Sequence, residues 1–136
     1  IEVRGDQLKG GTIAGANTAA LIDEIPVLAA IAPYTQNGIE VRDAKELRVK
    51  ESDRIAAISA GLRAMGANVE ELEDGFSVGG CQSLHGAEVD SMGDHRIAMA
   101  FGIAALRASG DTVIHNSDAS EVSFPGFFQA LERVAK

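Results

Sequence analysis

Hydrophobic positions along this chain fall into short runs of helical and strand-like spacing, separated by glycines and acidic turns. Ile55, Ile58, Leu62 and Met65 recur at helical spacing behind Ser52, a good N-cap, and Gly66 follows where a left-handed residue ends a helix. A helix from Ser52 to Met65 is predicted. Ile97, Phe101, Ala104 and Ala108 form a second stripe, headed by Asp94 as cap and followed by Gly110, which predicts a helix over 97–108. Asp23 heads a third helix, Ile25 to Ala32, in which Pro26 is tolerated because the first turn has no internal partner for its missing N–H. A fourth runs from Phe124 to Ala135. Strand-like alternation marks Ile1-Glu2-Val3-Arg4, Ile39-Glu40-Val41-Arg42 and Thr112-Val113-Ile114-His115. Asn68 to Leu72 and Phe76 to Val78 flank Glu73-Asp74-Gly75, whose Asp-Gly is a hairpin signal.

The elements repeat with a period of about 72 residues. Asp23, an apolar helix, Gly38, the strand 39–42 and Asp43-Ala44 are matched by Asp94, an apolar helix, Gly110, the strand 112–115 and Asp118-Ala119. Each Asp-Ala pair leads into another helix. The unit reads β-α-β-α-β-β, and two copies predict an α/β (α+β) fold of small mixed sheets packed with helices. The first copy takes in about residues 1–80 and the second about 81–136, the latter stopping after its second helix. It lacks its last strands or completes a sheet with residues 1–4 or another N-terminal strand. By length, 136 residues make one domain.

Composition narrows the function classes. No stretch approaches the roughly 20 apolar residues of a membrane span, and no signal-peptide pattern opens the chain. The net charge of -8 argues against nucleic-acid binding, which needs a basic surface, but a local Arg/Lys cluster can still hold a small anion. Cys81 is the only cysteine and is expected to be a small apolar filler, which suits a reducing cytoplasm and offers no zinc site.

The candidate chemistry lies at helix starts, where free N–H groups and the dipole favour anions. Lys50, Glu51, Asp53 and Arg54 surround one start, Asp94, His95 and Arg96 another, and Asp23 and Glu24 a third. The acids have a simple explanation as caps. Lys50, Arg54, His95 and Arg96 do not, because a cation is disfavoured there unless an anion lies nearby. Equivalent starts in two repeats share the anomaly, as a common cleft would require. A solvated mixed-charge patch remains the competing account. Arg54 and Arg96 offer planar forks for phosphate or carboxylate, Lys50 a point charge, and Asp23, Glu51 and His95 candidate proton-transfer groups. Such a set suits proton-coupled addition or elimination on an anionic substrate.

Four segments, Leu47-Arg48-Val49-Lys50-Glu51-Ser52-Asp53-Arg54, Gly93-Asp94-His95-Arg96-Ile97-Ala98-Met99-Ala100, Leu21-Ile22-Asp23-Glu24-Ile25-Pro26 and Ser123-Phe124-Pro125-Gly126-Phe127-Phe128, together resemble the signatures of the 5-enolpyruvylshikimate-3-phosphate synthase family. The resemblance covers essentially the whole chain and roughly the last third of the family's length. It implies transfer of the enolpyruvyl group from phosphoenolpyruvate to the 5-hydroxyl of shikimate 3-phosphate with release of phosphate, and no metal or organic cofactor. By matching positions, Asp23 would contact the shikimate ring and help deprotonate the hydroxyl, and Lys50 would bind the same substrate. Glu51 would transfer protons with His95 beside it, while Arg54 and Arg96 would hold phosphoenolpyruvate. The implied fold has two domains of three β-α-β-α-β-β units each, of which this chain would supply two units, with the N-terminal part of the same enzyme completing the site. On that view the chain alone has half a site and is inactive. Val122 and Ser123 stand where many members carry a lysine, so that role has no residue here. The UDP-N-acetylglucosamine enolpyruvyl transferases share the fold but fit the first two signatures poorly. A non-catalytic phospholigand-binding or interaction module of the same fold is the alternative from another class.

Overall fold

A computed structural model of the protein describes Glu2 and residues 7–135; apart from Glu2, the expected strand at residues 1–4 lies outside them. In chain order the elements are β1 (Gly11–Ile13), α1 (Ala16–Ala20), α2 (Ile25–Ile31), a 3-10 helix (Ala32–Tyr34), β2 (Ile39–Val41), a 3-10 helix (Lys45–Val49), α3 (Arg54–Ala64), β3 (Val69–Leu72) and β4 (Gly75–Val78). There follow β5 (Glu88–Asp90), α4 (His95–Ala105), β6 (Val113–His115), a 3-10 helix (Ser117–Val122) and α5 (Phe127–Val134). β1 and β2 pair in parallel across α2, and β5 and β6 do the same across α4, so the duplicated pattern appears as two parallel β-α-β crossovers. In the first, β4 adds antiparallel to β2 and β3 to β4, giving the order β1-β2-β4-β3. The second sheet has only β5 and β6 among the described residues.

Burial follows the helical stripes. Ile55, Ile58, Leu62 and Met65 of the first stripe are buried, as are Ile97, Phe101 and Ala104 of the second. Apolar surface of this kind is worth about 25 cal/mol per Å² removed from water. The two helices meet where Gly61 faces Phe101: a Cβ at Gly61 would lie 2.1 Å from the Phe101 ring. The glycine thus sets how closely α3 approaches α4.

Several local expectations shift. Asp53, not Ser52, caps α3, accepting from the Ala56 N–H at 3.0 Å, while the Ser52 hydroxyl donates to Asp94 at 3.1 Å. Asp23 does not cap α2, whose N-cap residue is Glu24 without a side-chain bond, because its carboxylate is engaged by arginines from other helices. α4 ends at Ala105 rather than Ala108, since the Ala104 carbonyl accepts from the Tyr34 hydroxyl at 3.0 Å and the following N–H groups bond three residues back. α5 begins at Phe127, after Gly126 with φ 76°. The hairpin forms as expected, but Leu72 pairs with Gly75, so Glu73 and Asp74 are its loop. Gly75 is needed because a Cβ there would lie 1.9 Å from the Val41 carbonyl oxygen. Cys81 is exposed rather than buried, at φ 53° just after Gly79 and Gly80.

Candidate active site

The starts of α2, α3 and α4 converge on Arg54. Its side chain is 1% exposed. Nε donates to Asp94 Oδ2 at 2.8 Å, Nη1 to Asp23 Oδ1 at 3.1 Å and Nη2 to Glu51 Oε2 at 2.6 Å. Burial disfavours the cation, but the bond and charge of Asp94, then Glu51 and Asp23, outweigh it and hold the guanidinium more firmly protonated than usual. A buried cation at a helix start is tolerable only with such partners.

Asp94 is the deepest member of the group, with its side chain 0% exposed. Besides Arg54 it accepts from the Arg96 backbone N–H at 2.9 Å and from Ser52 at 3.1 Å. Burial pushes its carboxyl up, yet Arg54, the Arg96 N–H and the Ser52 hydroxyl together hold it below the ordinary range. One carboxylate therefore caps α4 and ties it to α3. Sequence reading found the cap but not the anchor, because the same residue type at the same position serves either purpose. Glu46, which holds Lys50 Nζ at 2.6 Å, was likewise missed.

Asp23 stands among three cations from three segments. Its oxygens lie 3.1 Å from Arg54 Nη1, 3.6 Å from Arg96 Nη2 and 4.0 Å from Lys50 Nζ. Burial raises its carboxyl, but Arg96, Arg54 and Lys50 prevail and keep it below the ordinary range. The Asp23 carbonyl also accepts from Arg96 Nη1 at 2.8 Å, which fixes that guanidinium across the α2 start. Arg96 retains 34% exposure. Lys50 is held above its usual range, first by its bond to Glu46 and against a smaller opposing effect of burial.

Of the six residues singled out from sequence, Asp23, Lys50, Glu51, Arg54 and Arg96 are joined by direct contacts. His95 is the first residue of α4 and half-buried, and among the described residues its side chain makes no hydrogen bond or ion pair to the other five. Beside Asp23 and Arg96 opens a cavity of about 250 Å³ with Pro26, Val27, Met99, Ala100, Ile103 and Phe127 in its walls. Its walls are mainly apolar, with Glu24 and the part-exposed Asp23 and Arg96 at its edge. Among the described residues, no group of three or more His, Cys, Asp or Glu is placed to hold a metal ion, and no helix is long and apolar enough to cross a membrane. The arrangement can take an anion on Arg96 and Lys50 in competition with Asp23. It can also move protons through Asp23 and Glu51, each of which has a partly exposed side chain.

The EPSP synthase (3-phosphoshikimate 1-carboxyvinyltransferase) family model matches residues 1–131. A 3-phosphoshikimate 1-carboxyvinyltransferase of Koribacter versatilis is 63% identical over 129 residues, covering 95% of this chain and 30% of the relative. That of Solibacter usitatus is 54% identical over 136 residues, covering 100% of this chain and 32% of the relative. The solved EPSP synthase of Acinetobacter baumannii superposes with a TM-score of 0.86 at 37% identity, over 93% of this chain and 30% of that one. The chain thus spans about a third of the length of the curated relatives it matches.

Proposed function

The chain belongs to the EPSP synthase family, and on that premise we propose that it forms part of an enzyme transferring the enolpyruvyl group of phosphoenolpyruvate to the 5-hydroxyl of shikimate 3-phosphate. The single observation that carries this reading is the Asp23 carboxylate set among Arg54, Arg96 and Lys50 at three converging helix starts. A carboxylate in that position can accept the hydroxyl proton while the cations hold the anionic groups of both substrates. In the proposed roles Lys50 binds shikimate 3-phosphate and Arg96 holds phosphoenolpyruvate. Glu51, with His95 beside it, takes part in proton transfer at the reacting centre as the tetrahedral intermediate forms and collapses. Arg54 reaches the same anion only where Asp23 or Glu51 moves aside, since both now occupy its N–H groups.

The chain's two units, about residues 1–80 and 81–136, are proposed to form part of one domain of that enzyme, with the rest of the site on a facing segment. We place the reaction in a reducing cytoplasm, a reading supported by the single, exposed, unbridged Cys81. The test is phosphate release from the two substrates by the full-length protein, with Asp23→Asn as the variant. Turnover should fall by about 100-fold or more while the thermal midpoint stays within a few degrees. Activity lost only in proportion to folded protein would sink the reading. The 136 residues alone are expected to show no turnover.

A further inference from the structure

We propose that Arg48 is a positioning residue which, together with Asp53, clamps the intervening Lys50–Ser52 segment into a fixed loop and so presents Lys50 and Glu51 to the site; this rests on the enolpyruvyl-transfer reading of that site. The need for a clamp follows from where the loop lies. The 3-10 helix ends at Val49 and α3 begins at Arg54, so both functional side chains sit on a connector of irregular backbone. Among the described residues, Lys50, Glu51 and Ser52 make no backbone-to-backbone hydrogen bond to another element. Their order comes from side chains, and a loop held only that way is otherwise free to open.

The Arg48 fork closes it from outside. Nη1 donates to both oxygens of Asp53, at 2.9 and 3.2 Å, and to Glu71 Oε1 at 3.1 Å. Nε donates to the Glu73 carbonyl at 2.8 Å and Nη2 to the Leu72 carbonyl at 2.6 Å. One guanidinium therefore ties the end of the 3-10 helix, the N-cap of α3 and the turn of the β3–β4 hairpin at a single point. An isolated exposed ion pair would be worth little. This contact differs because three nitrogens of one planar group are engaged and two of the acceptors are fixed backbone carbonyls, a pattern that lysine's single ammonium cannot reproduce. The hairpin thereby serves the site as well, since its turn is the wall against which the loop is braced.

Asp53→Asn isolates the clamp, because asparagine still caps a helix but carries no charge for Arg48. The experiment compares the full-length wild type with Asp53→Asn, Arg48→Lys and the double variant by two readouts. The first is limited proteolysis after Glu51 by a glutamate-specific protease. Each single variant should be cut about tenfold faster there, with cleavage elsewhere unchanged. The second is steady-state kinetics: KM for shikimate 3-phosphate rises and kcat falls, each several-fold, while KM for phosphoenolpyruvate, held by Arg96 outside the loop, moves by a smaller factor. The double variant should be no worse than the worse single. Unchanged cleavage after Glu51 in both singles, or single effects that multiply in the double, overturns the clamp. A general rise in cleavage with both KM values raised by the same factor also overturns it, since that is loss of stability alone. Should the wild type not convert the two substrates, the functional reading fails, and the clamp is decided by proteolysis.

Discussion

At the start of α3, Arg54 is almost wholly buried and answered by Asp94, Glu51 and Asp23. At the start of α4, Arg96 keeps 34% of its side chain in solvent, shares Asp23 at 3.6 Å and borrows a backbone carbonyl. In sequence the two positions look alike: a cation in the first turn of a helix, where the dipole disfavours it. In three dimensions one is buried among three acids and the other stays partly in solvent. The difference lies in depth. Buried charge must be matched internally, so Arg54 is surrounded by acids, whereas a part-exposed charge can remain partly unmatched because water serves it.

This contrast is best broken by removing each arginine in turn. Arg54→Met should destabilise the fold by about 3–5 kcal/mol, since it strands the Asp94 carboxylate in the interior. The midpoint of urea unfolding measures it, and a change under about 1 kcal/mol would show that Arg54 is no anchor. Arg96→Met should change stability by less than about 1 kcal/mol. On the proposed function, in the full-length protein it should lower kcat/KM for phosphoenolpyruvate on the order of 100-fold, equivalent to about 2.7 kcal/mol. Comparable losses of stability for the two variants would erase the distinction.

Gly61→Ala acts on the same pair of helices at a distance from both arginines. The new Cβ would press on Phe101, prising α3 from α4, at a net cost of about 1–3 kcal/mol despite alanine's better helix propensity. Combining it with Phe101→Leu should recover part of the loss, whereas an unchanged unfolding midpoint in Gly61→Ala would mean that the helices' spacing is set elsewhere. The smallest effect is on pH. Asp94 has a folded pKa below its ordinary value of 3.8, so the unfolded chain binds its proton first as pH falls. The stabilisation is therefore complete above that value and lost as pH drops through the folded pKa, at about 1.4 kcal/mol per unit of difference. Asp94→Asn should remove that part of the acid limb, and an acid limb identical to wild type would show that Asp94 is not coupled to Arg54.

The helical stripes and the hairpin were legible because side-chain periodicity and turn chemistry are local. Ile55, Ile58, Leu62 and Met65 are buried as their spacing predicted. β1 and β5 went unrecognised. Each carries one branched apolar residue, Ile13 or Val89, where the equally short β2 and β6 carry two, and each is held as a strand by a parallel partner distant in sequence. Ser52 was preferred to Asp53 as a cap because both residue types suit the role, and only the position of Asp94 decided which was free to fill it. Cys81 was assigned to the core on its residue type, against a backbone turn at φ 53° that sequence spacing does not reveal.

For the site, sequence alone determined which residues carry charge at the helix starts and that two repeats share them. It also determined the motifs by which the chain resembles its family. Those are properties of residue type and order. Tertiary structure decided which arginine is an anchor, which carboxylate is buried, and that Arg48 and Asp53 meet across the loop between them. Burial and partnership depend on what the other helices and the hairpin bring within about 3 Å, where charge-assisted hydrogen bonds form, and residue order alone does not record such distances.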